Sequence, residues 1–134
     1  MDKSKIKNNR YKKRFTDELK QKGIKEGKDF AILTNLLTQV WSGYSVKEYK
    51  DLKGLKKENL RHNMTNMELV LNMLAETSTT EISKSKENKG FKEVQDSVMK
   101  GGNIAKIAKE QLEKETGKRI VSDKKAKEIR KLNS

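Results

Sequence analysis

Apolar positions recur with a helical period along most of the chain, and they are densest in the stretch TNMELVLNMLAETSTTEI that ends at Ile82. Thr65 and Glu68 have the spacing of a capping box, in which the Thr hydroxyl and the Glu carboxylate each bond the other's backbone amide, so a helix is predicted over 66–82. Seven of the nine residues from Met67 to Ala75 are apolar, and the two exceptions, Glu68 and Asn72, are four apart with Glu76 continuing their line. Such a helix belongs at the centre of a packed domain, with the narrow polar line turned to water.

The flanking segments read as shorter amphipathic helices. Residues 2–9 alternate Lys with Asn, Ser and Ile and predict a loose arm. Tyr11, Phe15 and Leu19, spaced by four, predict a helix from Arg10 to Lys22 closed by Gly23 in the left-handed conformation. Asp29 is the expected cap of a second helix with Phe30, Leu33, Leu37 and Trp41 inward, Ile32, Leu36 and Val40 widening that face, and Gly43 ending it. A lone Trp on such a stripe is read as core rather than as a base-stacking platform. Ser45 and Glu48 repeat the capping box before a short helix with Tyr49 and Leu52 inward, and Gly54 stops it. The segment from Leu55 to Asn63 is expected to be a further short helix, with Leu55 and Leu60 inward and Lys57 and Arg61 projecting from one outer face.

The polar run SKSKENKG at 83–90 is expected to be a hinge. Beyond it Phe91, Val94 and Val98 give a helix that Gly101 and Gly102 are expected to break. Asn103 then caps another helix, with Ile104, Ile107, Ala108 and Leu112 inward, ended by Gly117. Ser122 caps a last helix with Ala126 and Ile129 inward. The expected fold is all-α, a compact bundle of short helices around one buried central helix, with a C-terminal helical hairpin. Residues 1–83 would form the core domain with its basic arm, and 84–134 a smaller basic helical unit.

Composition sharpens this reading. Of the 134 residues 32% are hydrophobic, 5% aromatic and 38% charged, which favours solvated helices over a β-sandwich and supports one modest core. The absence of cysteine excludes a disulfide framework, a zinc knuckle and a thiol nucleophile. With no apolar run of signal-peptide or membrane-spanning length, the expected location is cytoplasmic, without a membrane partner.

The net charge of +13 is unevenly placed. Residues 1–28 hold 11 Lys/Arg against 4 Asp/Glu (+7), residues 29–102 hold 11 against 10 (+1), and residues 103–134 hold 10 against 5 (+5). Basic ends around a nearly neutral middle suit a polyanion, because each phosphate contact releases condensed counterions; the alternative is a set of solvated lysine-rich arms. Lys56, Lys57 and Arg61 concentrate positive charge at the entry to the central helix. Together with Arg10 and Arg14 of the first helix they are the candidate nucleic-acid-binding residues. His62 is the single histidine, and without a Cys, Asp or Glu at ligand spacing it is read as a surface or boundary residue. KGGNIAK lacks the spacing of a phosphate-binding loop. No nucleophile with an adjacent base, carboxylate pair or metal cluster can be read, so the chain is expected to be non-enzymatic and to need no cofactor or metal.

The run KDFAILTN followed by KEYKDLKGLKKENLRHNMTNMELVLNMLAETSTTEI resembles the C-terminal half of the DNA-damage-inducible protein D family, whose relatives include phage and mobile-element proteins with a Bro-type N-terminal domain. The tail KGGNIAKIAKEQLEKETGKRIVS is similar to the ending of many such chains, so the resemblance runs from about Gly27 to Ser122, most specifically in GLKKENLRHNM and TNMELVLNML. The family's N-terminal domain, usually read as its DNA-binding half, has no counterpart here. The resemblance implies a cytoplasmic, damage-response binding module that contacts single-stranded DNA, a RecA-type recombinase filament, or both. It carries over no catalytic residue. The alternative expectation is a phage-type inhibitor or antirepressor fragment that binds a host protein. The sequence leaves the oligomeric state open.

Overall fold

The computed structural model describes residues 3–87 and 89–125, and throughout them the regular structure is helical. Five α-helices, α1 (Lys3–Gln21), α2 (Lys28–Ser42), α3 (Val46–Leu52), α4 (Asn66–Lys84) and α5 (Phe91–Thr116), are joined by turns, with one 3-10 turn at Arg61–Asn63. α4 packs on α5, α1 and α2, and α5 also lies along α2.

Local sequence accounts for most of the boundaries. The capping boxes at Ser45/Glu48 and Thr65/Glu68 are both formed. α1 ends in a Schellman motif: Gly23, at φ 87°, bonds back to Lys20 O, Ile24 N bonds to Leu19 O, and Ile24 is buried. The same device follows α3, where Gly54 and Leu55 bond to Asp51 O and Lys50 O and Leu55 enters the core.

Several expectations are corrected. α1 begins at Lys3, so the backbone of residues 3–9 is helical rather than a loose arm. α2 is capped by Gly27 without a side-chain bond, and Asp29 sits one residue inside its first turn. The segment 55–60 is not helical. It runs as turns that bury Leu55 and Leu60, and only the 3-10 turn follows. Gly101 and Gly102 do not break a helix; they are buried in the middle of the 26-residue α5. A Cβ at 101 would lie 2.0 Å from Thr79 Oγ1, and one at 102 would lie 2.6 Å from Val40 Cγ1, so the two glycines are where α5 closes on α4 and α2. Asn103, Ile104 and Ile107 are consequently exposed positions within one helix, while Ala105 takes the buried face.

The division at residue 83 is not matched by two cores, since Val94, Val98, Ala105 and Val121 join the same buried cluster as Phe15, Leu37 and Leu71. Nor is the connection after α4 unpinned. Gly90 N donates to Lys22 O at 2.9 Å, the Lys22 ammonium donates to Lys86 O, and Lys86 pairs with Asp96 at 2.9 Å. The helix expected around Ala126 and Ile129 lies outside the described residues.

The largest reversal concerns the face α4 buries. Glu68, Asn72 and Glu76, the expected water-facing line, are 0%, 6% and 5% exposed, whereas Met67 and Val70 are 40% and 49% exposed. Burial of polar groups is costly unless they are bonded, and each of these three side chains has a bonded partner. The Lys53 ammonium reaches Glu68 Oε1 at 2.7 Å, with both side chains wholly buried, and Tyr49 OH donates to Glu68 Oε2. Burial, reinforced by the Glu68 charge, pushes the Tyr49 phenol far above its ordinary range, so it stays a proton donor. Trp41 Nε1 donates to Asn72 Oδ1 at 3.0 Å. Near the other end of α4, Ser83 Oγ donates to Glu18 Oε2 at 2.6 Å.

Candidate nucleic-acid interface

The turns of 55–60 and the 3-10 turn close one end of a cleft between α1 and α2 that has a volume of about 450 Å³. Its walls are apolar, from Phe15, Phe30, Leu37, Leu60 and Met64, and its floor is polar, from Arg61, Asn72 and Glu76. Lys12 and Lys50 line it as well. The cleft continues into a second depression that shares Asn35, Val46 and Lys50 with it and adds Lys47, Asp51 and Lys56. Together the two hollows hold the cations Lys12, Lys47, Lys50, Lys56 and Arg61 against the carboxylates Asp51 and Glu76.

The pairing at the floor decides how that charge is used. Arg61 grips Glu76 with two parallel bonds, Nη1 to Oε2 at 2.7 Å and Nη2 to Oε1 at 2.8 Å, and its side chain is only 12% exposed. Burial pushes the Glu76 carboxyl above its ordinary value, with Arg61 and then Lys12 pulling the other way. Both carboxylate oxygens are engaged by the guanidinium, so Glu76 is neither a free base nor a strong repeller of an approaching anion. The cationic character of the opening therefore rests on the lysines.

The five residues expected from sequence are not brought together. Lys56 lines the second depression, and Lys57, also exposed, lines neither hollow. Arg61 turns inward onto Glu76, because the segment that was to project it outward is not a helix. Arg10 and Arg14 are exposed on α1. Each is two residues from Lys12, about 200° round the helix, so they leave by the flank away from the cleft. The cleft lysines missed by sequence, Lys12 and Lys50, are 38 positions apart in the chain. They have no mutual spacing to find; the one available signal was Lys12 lying one position from Tyr11 on the inner stripe. His62 is exposed at the backbone turn and outside the cleft.

The hydroxyls of Thr34 and Thr38 add hydrogen-bonding capacity to the wall, each donating within α2 and so left able to accept. Such a site can hold and orient an anion with an apolar body. Among the described residues no group of three or more His, Cys, Asp or Glu is placed to hold a metal ion, and no helix is long and apolar enough to cross a membrane. Comparison of the chain with family models, with curated proteins and with solved structures gave no match in any of the three.

Proposed function

We propose that the chain is a non-enzymatic binding module that takes single-stranded nucleic acid along the cleft and the depression beside it. The observation that carries this reading is the line of Lys12, Lys50, Lys47 and Lys56 along two continuous hollows whose one buried carboxylate is already held by Arg61. Phosphates in such a groove exchange condensed counterions for fixed ammonium groups, while apolar walls favour unstacked bases over a closed duplex. In the damage-response setting implied by the family resemblance, the strand is the DNA on which a recombinase filament assembles. Fluorescence anisotropy against labelled single-stranded DNA across a salt series tests the reading, with the Lys12→Ala, Lys50→Ala double variant as the probe of the groove.

A second reading, an inhibitor that binds a host protein, is favoured by apolar residues exposed outside the cleft. Met67 and Val70 on the outside of α4 and Ile104 and Ile107 on α5 are all at least 40% exposed. Exposed apolar groups of this size suit a protein partner. Absence of any salt-sensitive binding to DNA would favour it.

A further inference from the structure

We propose that the cleft seats one unstacked nucleobase of the bound strand, while the neighbouring phosphates lie on the lysines of the second depression; this rests on the strand-binding reading above. The two hollows differ in a way that fits the two halves of a nucleotide. The first is walled by Phe15, Phe30, Leu37, Leu60 and Met64, and the second carries Lys47, Lys50 and Lys56 with one carboxylate, Asp51. They meet at Asn35, Val46 and Lys50, so a chain leaving the first passes directly over the ammonium groups of the second. A volume of about 450 Å³ is within the range of small-molecule sites, and a wall that includes the half-buried Phe30 ring suits a flat aromatic body.

Asn72 supplies the edge contact. The Trp41 indole can only donate, so the Asn72 atom 3.0 Å from its Nε1 is the carbonyl oxygen, and the amide orientation follows. Asn72 is more than nine-tenths buried and lines the cleft, and the hydrogen bond its side chain makes among the described residues is the one its Oδ1 accepts from Trp41. Two N–H donors are thus left for an acceptor within the cleft. A base carbonyl, as on thymine, accepts from one of them, because the two N–H bonds of an amide diverge by about 120°. Glu76, whose two oxygens each accept from Arg61, accepts no hydrogen bond from Asn72 among the described residues.

The test compares a short oligothymidylate with a fully abasic phosphodiester strand of the same length and charge, by anisotropy competition at several salt concentrations. Seating of a base predicts that the abasic strand binds roughly 5- to 150-fold more weakly, with the same salt slope. Asn72→Asp, which keeps an acceptor for Trp41 but removes both donors, should shrink that ratio in a variant shown to be folded by its thermal melt. Equal binding of the two strands, or a ratio unmoved by Asn72→Asp, overturns base seating and leaves the cationic groove standing. Failure of both strands to bind overturns the groove as well. Thymidine monophosphate binding as tightly as the oligomer would assign the cleft to a free nucleotide and overturn its role in holding a strand.

Discussion

Gly101 and Thr79 touch so closely that a side chain at position 101 has no room: a Cβ there would lie 2.0 Å from Thr79 Oγ1 and 2.5 and 2.6 Å from the Thr79 N and Cα. In an exposed helix, replacing Gly by Ala gains about 1 kcal/mol of propensity, but here the obstacle includes backbone, and overpacking of this kind costs about 1–3 kcal/mol or more. Gly101→Ala should therefore be destabilising in urea denaturation. Gly102→Ala meets the Val40 side chain instead, at 2.6 and 2.8 Å, and should cost less because a side chain yields more readily than a helix backbone. A Gly101→Ala variant as stable as the parent would mean that α5 does not close on α4 at this point.

The Lys53–Glu68 pair predicts strong non-additivity. Lys53→Met leaves the buried Glu68 carboxylate with the Tyr49 hydroxyl and the Thr65 amide alone, and breaking a buried pair in this way costs about 3–5 kcal/mol. The double change Lys53→Met, Glu68→Leu should recover a large part of that loss in a denaturation cycle. Lys53 also donates to the Ser122 and Lys124 carbonyls, so the single variant should show faster amide hydrogen exchange over 122–125. Additive effects would show that the two side chains do not depend on each other.

Glu76 should give stability a measurable pH dependence. Its carboxyl is raised in the folded chain by burial, so between its ordinary value of about 4.5 and its folded value the native state binds more proton than the unfolded state. The site's contribution is then fully present below the unfolded value and is lost as pH rises through the folded one. Glu76→Gln removes this dependence, although it weakens the Arg61 grip at every pH. Subtracting the variant's stability profile from the parent's should leave a difference that falls as pH rises from about 4 upward, and a difference that rises would reverse the sign assigned to this carboxyl.

How far the sequence can be read depends on whether a signal is local. The capping boxes, the glycine C-caps and the inward stripes through Phe15, Leu19, Leu33, Leu37 and Trp41 are set by residues within one or two turns of each other, and all of them are present. The face of α4 depends on partners 15 to 31 positions away. With seven apolar residues among nine, periodicity alone does not tell which line is buried. Tyr49, Lys53, Arg61 and Trp41 make the polar line the inward one. The mid-helix glycines misled for a related reason. A glycine pair reads as a breaker when the helix is considered alone, and as a contact surface once α4 and α2 are beside it. The candidate site was legible only through Lys56 and, in a role opposite to the expected one, Arg61.

A groove centred on the cleft is tested most directly by the affinity for single-stranded DNA as a function of salt for three proteins: the parent, Lys12→Ala with Lys50→Ala, and Arg10→Ala with Arg14→Ala. Both doubles remove two positive charges, but only the first pair lines the cleft. The Lys12, Lys50 variant should bind more weakly, and its slope of log affinity against log salt should fall by roughly 0.7 for each phosphate no longer neutralised, while the Arg10, Arg14 variant stays close to the parent. Equal weakening in the two variants, or a larger effect from Arg10 and Arg14, would contradict a groove centred on the cleft.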